Sequence, residues 1–428
     1  MKRYDSYKDS EIYFLPKLPS NWKIRKGKYL FNEENRPVRS DDEIVTCFRD
    51  GQVTLRKNRR TEGFTNSLKE IGYQGVRKGD LVIHNMDAFA GAIGISDSDG
   101  KATPVYACCT PKSEEVSQYY YCYLLRYLAR NGFILSLAKG IRERSTDFRF
   151  NDFKELYLPV PTRKEQDAIV TYLDSATSKI DEAIAQQQKM IDLLNERKQI
   201  IINNAVSKGL DPNVKMKPSG IDWIGDINEN WDLYKLKHLL KSNLMYGANE
   251  SAESDDLSLP RYIRITDIDE DGNLRPDTFK SLSREKAAPY LLNRGDVLFA
   301  RSGATAGKSY LFDEDLEACF AGYLIKASLK ESLQPKFLAY YTKSGIYDNW
   351  KNSIFIQATI PNIGADKYAN LMIPLPSMKE QIIIIQQLDI ETEKLNNIIR
   401  ACKKQISLLQ ERKQIIINDV VTGKVKVV

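Results

Sequence analysis

The sequence predicts an α+β protein in which two globular mixed α/β domains are joined by two long helices. The helices are expected to form an antiparallel coiled coil with a pseudo-two-fold internal repeat. Two observations support this prediction. The segments Leu193–Asn203 and Leu408–Asn418 share ten of eleven residues and lie 215 positions apart without a gap. Around them, apolar residues recur at alternating steps of three and four, which is typical of a coiled-coil seam.

Each predicted helix follows a pair of prolines. The segments Leu158–Pro161 and Ile373–Pro376 both read apolar-Pro-apolar-Pro. Proline does not fit a helix interior, so the helices should begin just beyond these pairs. Gly209 and Gly423 follow the last apolar positions and are suited to end the helices. Helices of about 45 residues, rising about 1.5 Å per residue, would form a spacer rod on the order of 65 Å long.

The predicted seam has matched polar breaks in the two helices, at Thr177 and Thr392 and at Lys198 and Lys413. These breaks favour antiparallel pairing of the helices with each other. The alternative, in which each helix packs only on its own domain, suits shorter helices. The apolar seam positions are Leu173, Ile180, Ile184, Ile191, Leu194 and Ile201 in the first helix, and Leu388, Leu395, Ile399, Ile406, Leu409 and Ile416 in the second.

Domain boundaries follow from the repeat. We expect one globular domain at residues 1–158, the first helix at 159–210, the second globular domain at 211–373 and the second helix at 374–428. Shorter matches extend the repeat into the globular domains, where Trp22 corresponds to Trp231. Short β-branched and aromatic runs between Gly, Asp and Asn turns predict strands. These runs are 45–55, 79–95, 261–268 and 296–311, and helices are predicted at 119–137 and 334–350.

Composition excludes several classes of site. His84 and His238 are the only histidines, which argues against metal sites built on histidine and against most acid–base triads. The six cysteines form no C-x-x-C pair, so we expect no metal site and buried thiols in a reducing cytoplasm. The net charge of +6 permits a polyanionic partner without requiring one. No stretch of about 18 apolar residues occurs, so we expect a cytoplasmic protein without a membrane segment.

Cationic and amide side chains in the loop-like segments are the candidates for contacts with DNA. Arginine and lysine neutralise phosphates, and together with Asn and Gln they read base edges. Each cationic run taken singly has the alternative interpretation of a solvated surface, and the paired arrangement on a spacer favours DNA. The candidates are Arg56, Lys57, Arg59, Arg60, Asn85, Arg142, Arg144, Arg149, Arg261, Arg264, Arg301, Lys308 and Gln357.

The nearest match to a catalytic motif is Gly303–Ser309, which resembles a P-loop. It has three residues between its glycines where a phosphate-binding loop needs four. The sequence also lacks a G-x-G-x-x-G fingerprint, the Asn/Asp-Pro-Pro-aromatic tetrapeptide of amino-methyltransferases, a serine-nucleophile elbow and a zinc deaminase signature. We therefore expect no catalytic residue and no catalysis by this chain on its own.

Taken together, these motifs resemble the specificity subunit of Type I restriction-modification systems over nearly the whole chain. The resemblance rests on the tryptophan segments, on the repeated Pro-x-Pro and Glu-Gln pairs, and on the Glu-Arg-Lys-Gln helix ends. The segments His84–Gly94 and Arg301–Lys308 also resemble blocks frequent in target-recognition domains.

The resemblance implies a division of labour. Each target-recognition domain would bind one half of a bipartite site in double-stranded DNA, across a spacer set by the coiled coil. Two modification subunits, which hold S-adenosylmethionine and methylate adenine, would dock on the helices and domains. Restriction subunits, which use ATP and Mg²⁺, would join them, leaving no cofactor on this chain. Because the two halves differ in sequence, the half-sites should differ as well. The alternative hypotheses are a coiled-coil scaffold for two protein partners without DNA reading, and a stand-alone P-loop enzyme.

Overall fold

The computed structural model describes residues 2–59, 62, 70–137, 147–252, 254–269, 272–355 and 361–427. The chain forms two compact units. Unit 1 consists of Met1–Gln187 and Lys404–Val428, and unit 2 consists of Gln188–Lys403. Each unit thus combines one globular part with part of both long helices, whereas the predicted segments follow the helix boundaries.

Unit 1 begins with the globular elements and continues into the first long helix, α4. Its strands are β1 (Tyr7–Asp9), β2 (Lys17–Pro19), β3 (Lys23–Lys26), β4 (Phe31–Glu34), β5 (Val45–Cys47), β6 (Val53–Leu55), β7 (Gln74–Val76), β8 (Leu81–His84), β9 (Ile93–Ile95), β10 (Gly100–Ala102), β11 (Tyr106–Pro111) and β12 (Tyr157–Val160). Its helices are α1 (Gln118–Arg130), α2 (Phe133–Ser136), α3 (Phe150–Phe153) and α4 (Arg163–Ser207), of which the last continues into unit 2.

Unit 2 repeats this plan and continues into the second long helix, α9. Its strands are β13 (Met216–Pro218), β14 (Asp226–Asn228), β15 (Asp232–Lys235), β16 (Met245–Tyr246), β17 (Arg261–Ile263), β18 (Val297–Ala300), β19 (Ser309–Leu311), β20 (Ala318–Phe320), β21 (Leu324–Ala327) and β22 (Met372–Leu375). Its helices are α5 (Arg284–Ala287), α6 (Pro335–Tyr341), α7 (Gly345–Phe355), α8 (Ala365–Ala369) and α9 (Met378–Val421), of which the last ends in unit 1.

The same four-stranded antiparallel sheet forms the centre of both units. Its order is β4-β11-β8-β9 in unit 1 and β16-β21-β18-β19 in unit 2. The loop between β8 and β9 follows the third strand of the sheet in unit 1. The loop between β18 and β19 follows the equivalent strand in unit 2. A separate two-stranded pair, β3 with β12 and β15 with β22, joins the start of each globular part to the chain just before the long helix. The duplication predicted from the sequence is therefore a duplication of topology.

Each long helix starts with a capping box. In α4 the Thr162 amide donates to Glu165 Oε2 at 3.1 Å, and the Glu165 amide donates to Thr162 Oγ1 at 3.3 Å. In α9 Ser377 and Glu380 exchange the equivalent bonds at 3.0 and 3.4 Å. Both helices thus begin just after the Pro-x-Pro pairs, as predicted, because the cap satisfies amides of the first turn.

The two long helices pack together and run antiparallel. In unit 1 the start of α4 and the end of α9 share one core, which includes Leu173 and Ile417. In unit 2 the end of α4 and the start of α9 share another, which includes Ile202 and Leu388. No helix within the described residues is long and apolar enough to span a bilayer.

Most predicted seam positions are buried, and the seam prediction is wrong by one residue at the helix ends. Ile202 and Ile417 are buried there, whereas the predicted Ile201 and Ile416 are only half-buried. The period of an α-helix is 3.6 residues, so a strict heptad stripe drifts around the helix over several turns. The helix ends also pack against the globular cores. Among the other predicted positions, the half-buried ones are Ile184, Ile406 and Leu409.

Two glycines end the helices and contact the two repeated tryptophans. Gly209 has φ +86° and Gly423 has φ +71°, a conformation that favours glycine. A Cβ at Gly423 would lie 3.0 Å from Trp22 Cη2, and one at Gly209 would lie 3.3 Å from Trp231 Cζ2. The glycines therefore allow the helix ends to pack closely on the buried indoles.

Candidate nucleic-acid interface

In unit 1 the loop that follows β8 begins at a residue held on both sides by backbone hydrogen bonds. The Asn85 amide donates to the Val105 carbonyl at 2.9 Å, and the Phe148 amide donates to the Asn85 carbonyl at 3.0 Å. These bonds tie the end of β8 to the segment before β11 and to the segment before α3. The Asn85 side chain is therefore presented at a fixed place at the end of the sheet.

Unit 2 places Arg301 in the same backbone frame after β18. The Arg301 amide donates to the Tyr323 carbonyl at 2.9 Å, and the Ile363 amide donates to the Arg301 carbonyl at 2.8 Å. Arg301 and Asn85 thus occupy equivalent positions in equivalent sheets. Both were predicted as candidates from the sequence, but their equivalence depends on residues that are distant along the chain.

A cavity of about 890 Å³ in unit 1 lies beside Asn85 and is lined mostly by polar side chains. Gln74, Tyr106 and Arg149 contribute to its wall. The Asn85 Oδ1 atom is buried and accepts no hydrogen bond from any described residue. Arg149 is 67% exposed and pairs with Asp147 at 2.6 Å. The amides and the guanidinium around this recess are suited to contact base edges, whereas the carboxylates of Glu33, Glu34 and Asp147 in the same wall disfavour a phosphate.

A second cavity of about 360 Å³ in unit 1 shares Tyr106 with the first and is lined by Arg49, Arg56 and His84 among others. Arg49 is 67% exposed and pairs with Asp87 at 2.9 Å. Burial lowers the pKa of His84, and burial raises the pKa of Tyr106 to about 12. Both groups are therefore neutral at pH 7, and the arginines supply the positive charge. Arg49 was missed in the sequence because it stands alone, outside the dense cationic run that begins at Arg56.

Residues 56–59 of the dense cationic run form a short turn on the surface of unit 1. Arg59 Nη1 lies 2.7 Å from Asp50 Oδ2, and its guanidinium lies 4.3 Å from the centre of the Phe48 ring. Lys57 Nζ pairs with Glu43 at 2.6 Å. Ion pairs as exposed as these contribute about 0–1 kcal/mol. Phosphate oxygens can therefore replace the carboxylates at small cost.

Two candidate arginines of unit 2 are engaged within the protein. Arg261 is 8% exposed, and its Nη2 donates to the Arg275 carbonyl at 2.7 Å. Arg264 donates from Nε and Nη2 to the Asp267 carboxylate at 3.0 and 2.7 Å. These geometries give both side chains a structural role in the frame of unit 2, and a contact with DNA at these positions stays a prediction.

Four of the candidate residues lie outside the described residues. They are Arg60, Arg142, Arg144 and Gln357. Their assignment as DNA contacts stays a prediction from the sequence.

Lys308, in the P-loop-like segment, forms hydrogen bonds to the backbone within unit 2. Its Nζ donates to the carbonyls of Ile268 and Asp269 at 3.0 and 3.2 Å. We expect Lys308→Met to lower the free energy of unfolding by about 1–2 kcal/mol, because two carbonyls lose a charged donor. Chemical denaturation would measure this change.

Titration with ATP should detect no nucleotide binding by the unaltered chain. Saturable binding that Lys308→Met abolishes would instead support the P-loop hypothesis.

The chain is similar in sequence to specificity subunits of type I restriction enzymes. Residues 228–408 match the model of the Type I restriction modification DNA specificity domain. The Type I restriction enzyme MjaVIII specificity subunit of Methanocaldococcus jannaschii is 25% identical over 326 residues, which cover 74% of this chain and 72% of that protein. The putative MjaX specificity subunit of the same organism is 25% identical, with coverage of 99% and 97%.

Two solved structures share the fold over nearly the whole chain. One comes from work on complex assembly and conformational transition of the type I R-M system, with a TM-score of 0.68, 16% identity and coverage of 95% of this chain and 99% of that chain. The other is the HsdS subunit from Thermoanaerobacter tengcongensis, with a TM-score of 0.50, 17% identity and coverage of 95% and 98%. The duplicated sheets and paired long helices are therefore a shared architecture.

Proposed function

From the premise that this chain belongs to the specificity subunits of type I restriction-modification systems, we propose that its two globular parts bind the two halves of one bipartite DNA site. The chain supplies recognition to the assembly. Adenine methylation and ATP-dependent cleavage would be carried out by partner subunits, which would also hold S-adenosylmethionine, ATP and Mg²⁺.

One observation carries the proposal of unequal half-sites. The same sheet and the same backbone bonds present asparagine in unit 1 and arginine in unit 2. Symmetry in a DNA-binding protein is mirrored by symmetry in its site, and identical units would read a palindrome. Asparagine and arginine differ in the base edges that they recognise. Equivalent positions with different side chains therefore favour an asymmetric site.

The test is methylome sequencing of cells that carry the complete system, followed by exchange of residues 1–158 for the corresponding part of another specificity subunit. We expect an asymmetric bipartite motif in which only one half changes after the exchange. A change in both halves, or no methylated motif, would contradict modular recognition. Binding of the assembly to DNA should also weaken steeply as salt rises; affinity independent of salt would favour the protein scaffold.

The long helices carry a repeated apolar surface that suits protein partners. Leu193 and Ile200 are each 52% exposed in unit 2, and their repeats Leu408 and Ile415 are 55% and 50% exposed in unit 1. Residues seven apart lie on one face of a helix. The same pair occurs twice in the segments with ten of eleven residues identical. We propose that each pair is part of a docking surface for one modification subunit.

The double substitution Leu193→Glu with Ile200→Glu should remove one of two modification subunits. Two carboxylates at the centre of an apolar contact cannot be desolvated without penalty, so affinity at that surface should fall on the order of a hundredfold or more. Native mass spectrometry would measure the stoichiometry. Leu408→Glu with Ile415→Glu should do the same at the other surface, and both double substitutions together should release both subunits.

The control is Asn195→Asp, which adds one charge at an exposed position of α4 without a change of shape. This position lies two residues after Leu193 and five before Ile200, so it is about 160° and about 140° around the helix from these two side chains. The variant should leave two modification subunits bound. Full occupancy in both double variants would place docking elsewhere on the chain.

A further inference from the structure

We propose that Arg301 reads a guanine in the half-site bound by unit 2, and that position 301 is the counterpart of the reading position occupied by Asn85 in unit 1. This assignment rests on the proposed DNA-recognition function. It goes further by naming a residue, a base and the half-site in which that base occurs.

Arg301 differs from three other arginines of unit 2 in that its guanidinium makes no hydrogen bond or ion pair with the described residues. Arg264 pairs with Asp267, Arg284 Nη1 lies 2.6 Å from Glu317, and Arg294 pairs with Asp313. By contrast, no described residue accepts a hydrogen bond from the Arg301 side chain or forms an ion pair with it. The five N–H donors of Arg301 are thus not used by the part of the chain that the structure describes, and they can bind a ligand.

The Arg301 side chain is nevertheless held in place. Its guanidinium carbon lies 5.1 Å from the centre of the Tyr246 ring. The hydroxyl of Tyr246 accepts a hydrogen bond from the Ala365 amide at 3.0 Å, which anchors that ring. Stacking on an aromatic face restrains arginine without using its N–H groups. The guanidinium is therefore pre-organised, and less conformational entropy is lost when it binds.

The surroundings of Arg301 favour a base rather than a phosphate. The backbone on both sides of it is fixed by the bonds to Tyr323 and Ile363. Tyr323, whose carbonyl accepts from the Arg301 amide, is 67% exposed. A fixed, half-buried planar fork is suited to recognise a geometry, whereas a phosphate needs only a charge. Guanine presents two acceptors, O6 and N7, that match this fork in the major groove.

The equivalent position in unit 1 gives an independent argument. Asn85 lies in the same backbone frame and has a buried Oδ1 without a hydrogen bond from any described residue. Its amide lines a cavity with Gln74 and Arg149. Two equivalent strand ends thus each present a side chain with polar atoms that no described residue pairs, namely Oδ1 of Asn85 and the guanidinium of Arg301. This is expected of positions whose partner is not part of the chain.

The test uses the complete methyltransferase assembly with Arg301→Ala, Arg301→Lys and Arg301→Gln. Methylation rates and affinities would be measured on DNA in which each base pair of the native site is replaced in turn. We expect discrimination at one G·C pair in the half-site of unit 2 to fall about ten- to a hundredfold, because a bidentate contact is lost. The half-site of unit 1 should be read as before. Arg301→Lys should show the same defect, since lysine keeps the charge and loses the fork.

The matched control is Arg294→Ala, which removes an exposed arginine that is ion-paired with Asp313. It should leave the base preferences unchanged. A uniform loss of affinity over all sequences in Arg301→Ala, with a smaller salt dependence, would identify a phosphate contact and overturn the assignment. Unchanged preferences in all three variants would overturn it as well. If the unaltered assembly shows no base preference in either half-site, it is the proposed function that fails, and the two failures are thereby distinguished.

Discussion

Replacing Trp22 or Trp231 by alanine should destabilise the unit that contains it by about 3–5 kcal/mol. Trp22 is 0% and Trp231 is 1% exposed, so each indole fills space at the centre of its core. The free energy of unfolding of a domain is about 5–15 kcal/mol, and a loss of this size is a large part of it. We therefore expect one unit to unfold well before the other in each variant.

The tryptophans do more than fill space, because each indole donates to the glutamate that caps the long helix. Trp22 Nε1 lies 3.4 Å from Glu165 Oε1, and Trp231 Nε1 lies 3.4 Å from Glu380 Oε1. Alanine would remove this donor as well as the apolar surface. Trp22→Phe keeps much of the volume without the donor, so it should cost less than alanine.

Urea denaturation followed by near-ultraviolet circular dichroism would measure these effects. Tyr29→Ala is the control, since this side chain is 61% exposed and should contribute less than about 0.5 kcal/mol. A loss below about 1 kcal/mol in Trp22→Ala would show that the core of unit 1 does not depend on the indole.

Replacing Gln166 or Gln381 by leucine should destabilise the attachment of the helix to its globular part by about 3–5 kcal/mol. Gln166 is 0% exposed and accepts from the Ser117 amide at 2.8 Å. Its Nε2 donates to the carbonyls of Glu115 and Pro161, both at 3.0 Å. Leucine has a similar volume but leaves all three groups unpaired. The bonds to Ser117 and Pro161 are buried and the bond to Glu115 is half-buried, and each buried unpaired group costs about 1–3 kcal/mol.

Gln381 repeats the same three bonds in unit 2. It accepts from the Gln334 amide at 2.8 Å and donates to the carbonyls of Ser332 and Pro376 at 3.0 Å. Hydrogen exchange should show the loss at the start of α9 in Gln381→Leu and at the start of α4 in Gln166→Leu. Gln188→Leu, at an exposed position of α4, is the control. Equal protection in all three variants would show that the glutamines do not anchor the helices.

The sequence predicted the long helices well because their determinants are local. The proline pairs, the capping residues and the heptad stripe all lie within a few residues of the structure that they specify. The order of the sheet could not be predicted, since β8 pairs with both β9 and β11 and most strands have only three or four residues. Strand pairing of this kind depends on contacts between distant segments.

The candidate site was predictable by residue type and not by role. From the sequence alone, Arg264 and Lys308 are both candidates for contacts with DNA. In the structure, Arg264 pairs with Asp267, and Lys308 donates to two backbone carbonyls. Arg301 has the same type of side chain and a free guanidinium among the described residues. The difference arises from partners that approach from other parts of the chain. A sequence alone does not show which cationic side chains form ion pairs or hydrogen bonds within the fold.

The division of each helix between the two units has a consequence for how genes of this kind can change. Recombination between the near-identical segments Leu193–Asn203 and Leu408–Asn418 would delete 215 codons in frame. The product would keep the first globular part, the start of α4 and the end of α9, which are the pieces that make up unit 1. Two copies could pair antiparallel, each completing the other with the end of its helix. Under the proposed function, a single genetic event would thus convert a subunit for an asymmetric site into a homodimer for a palindrome.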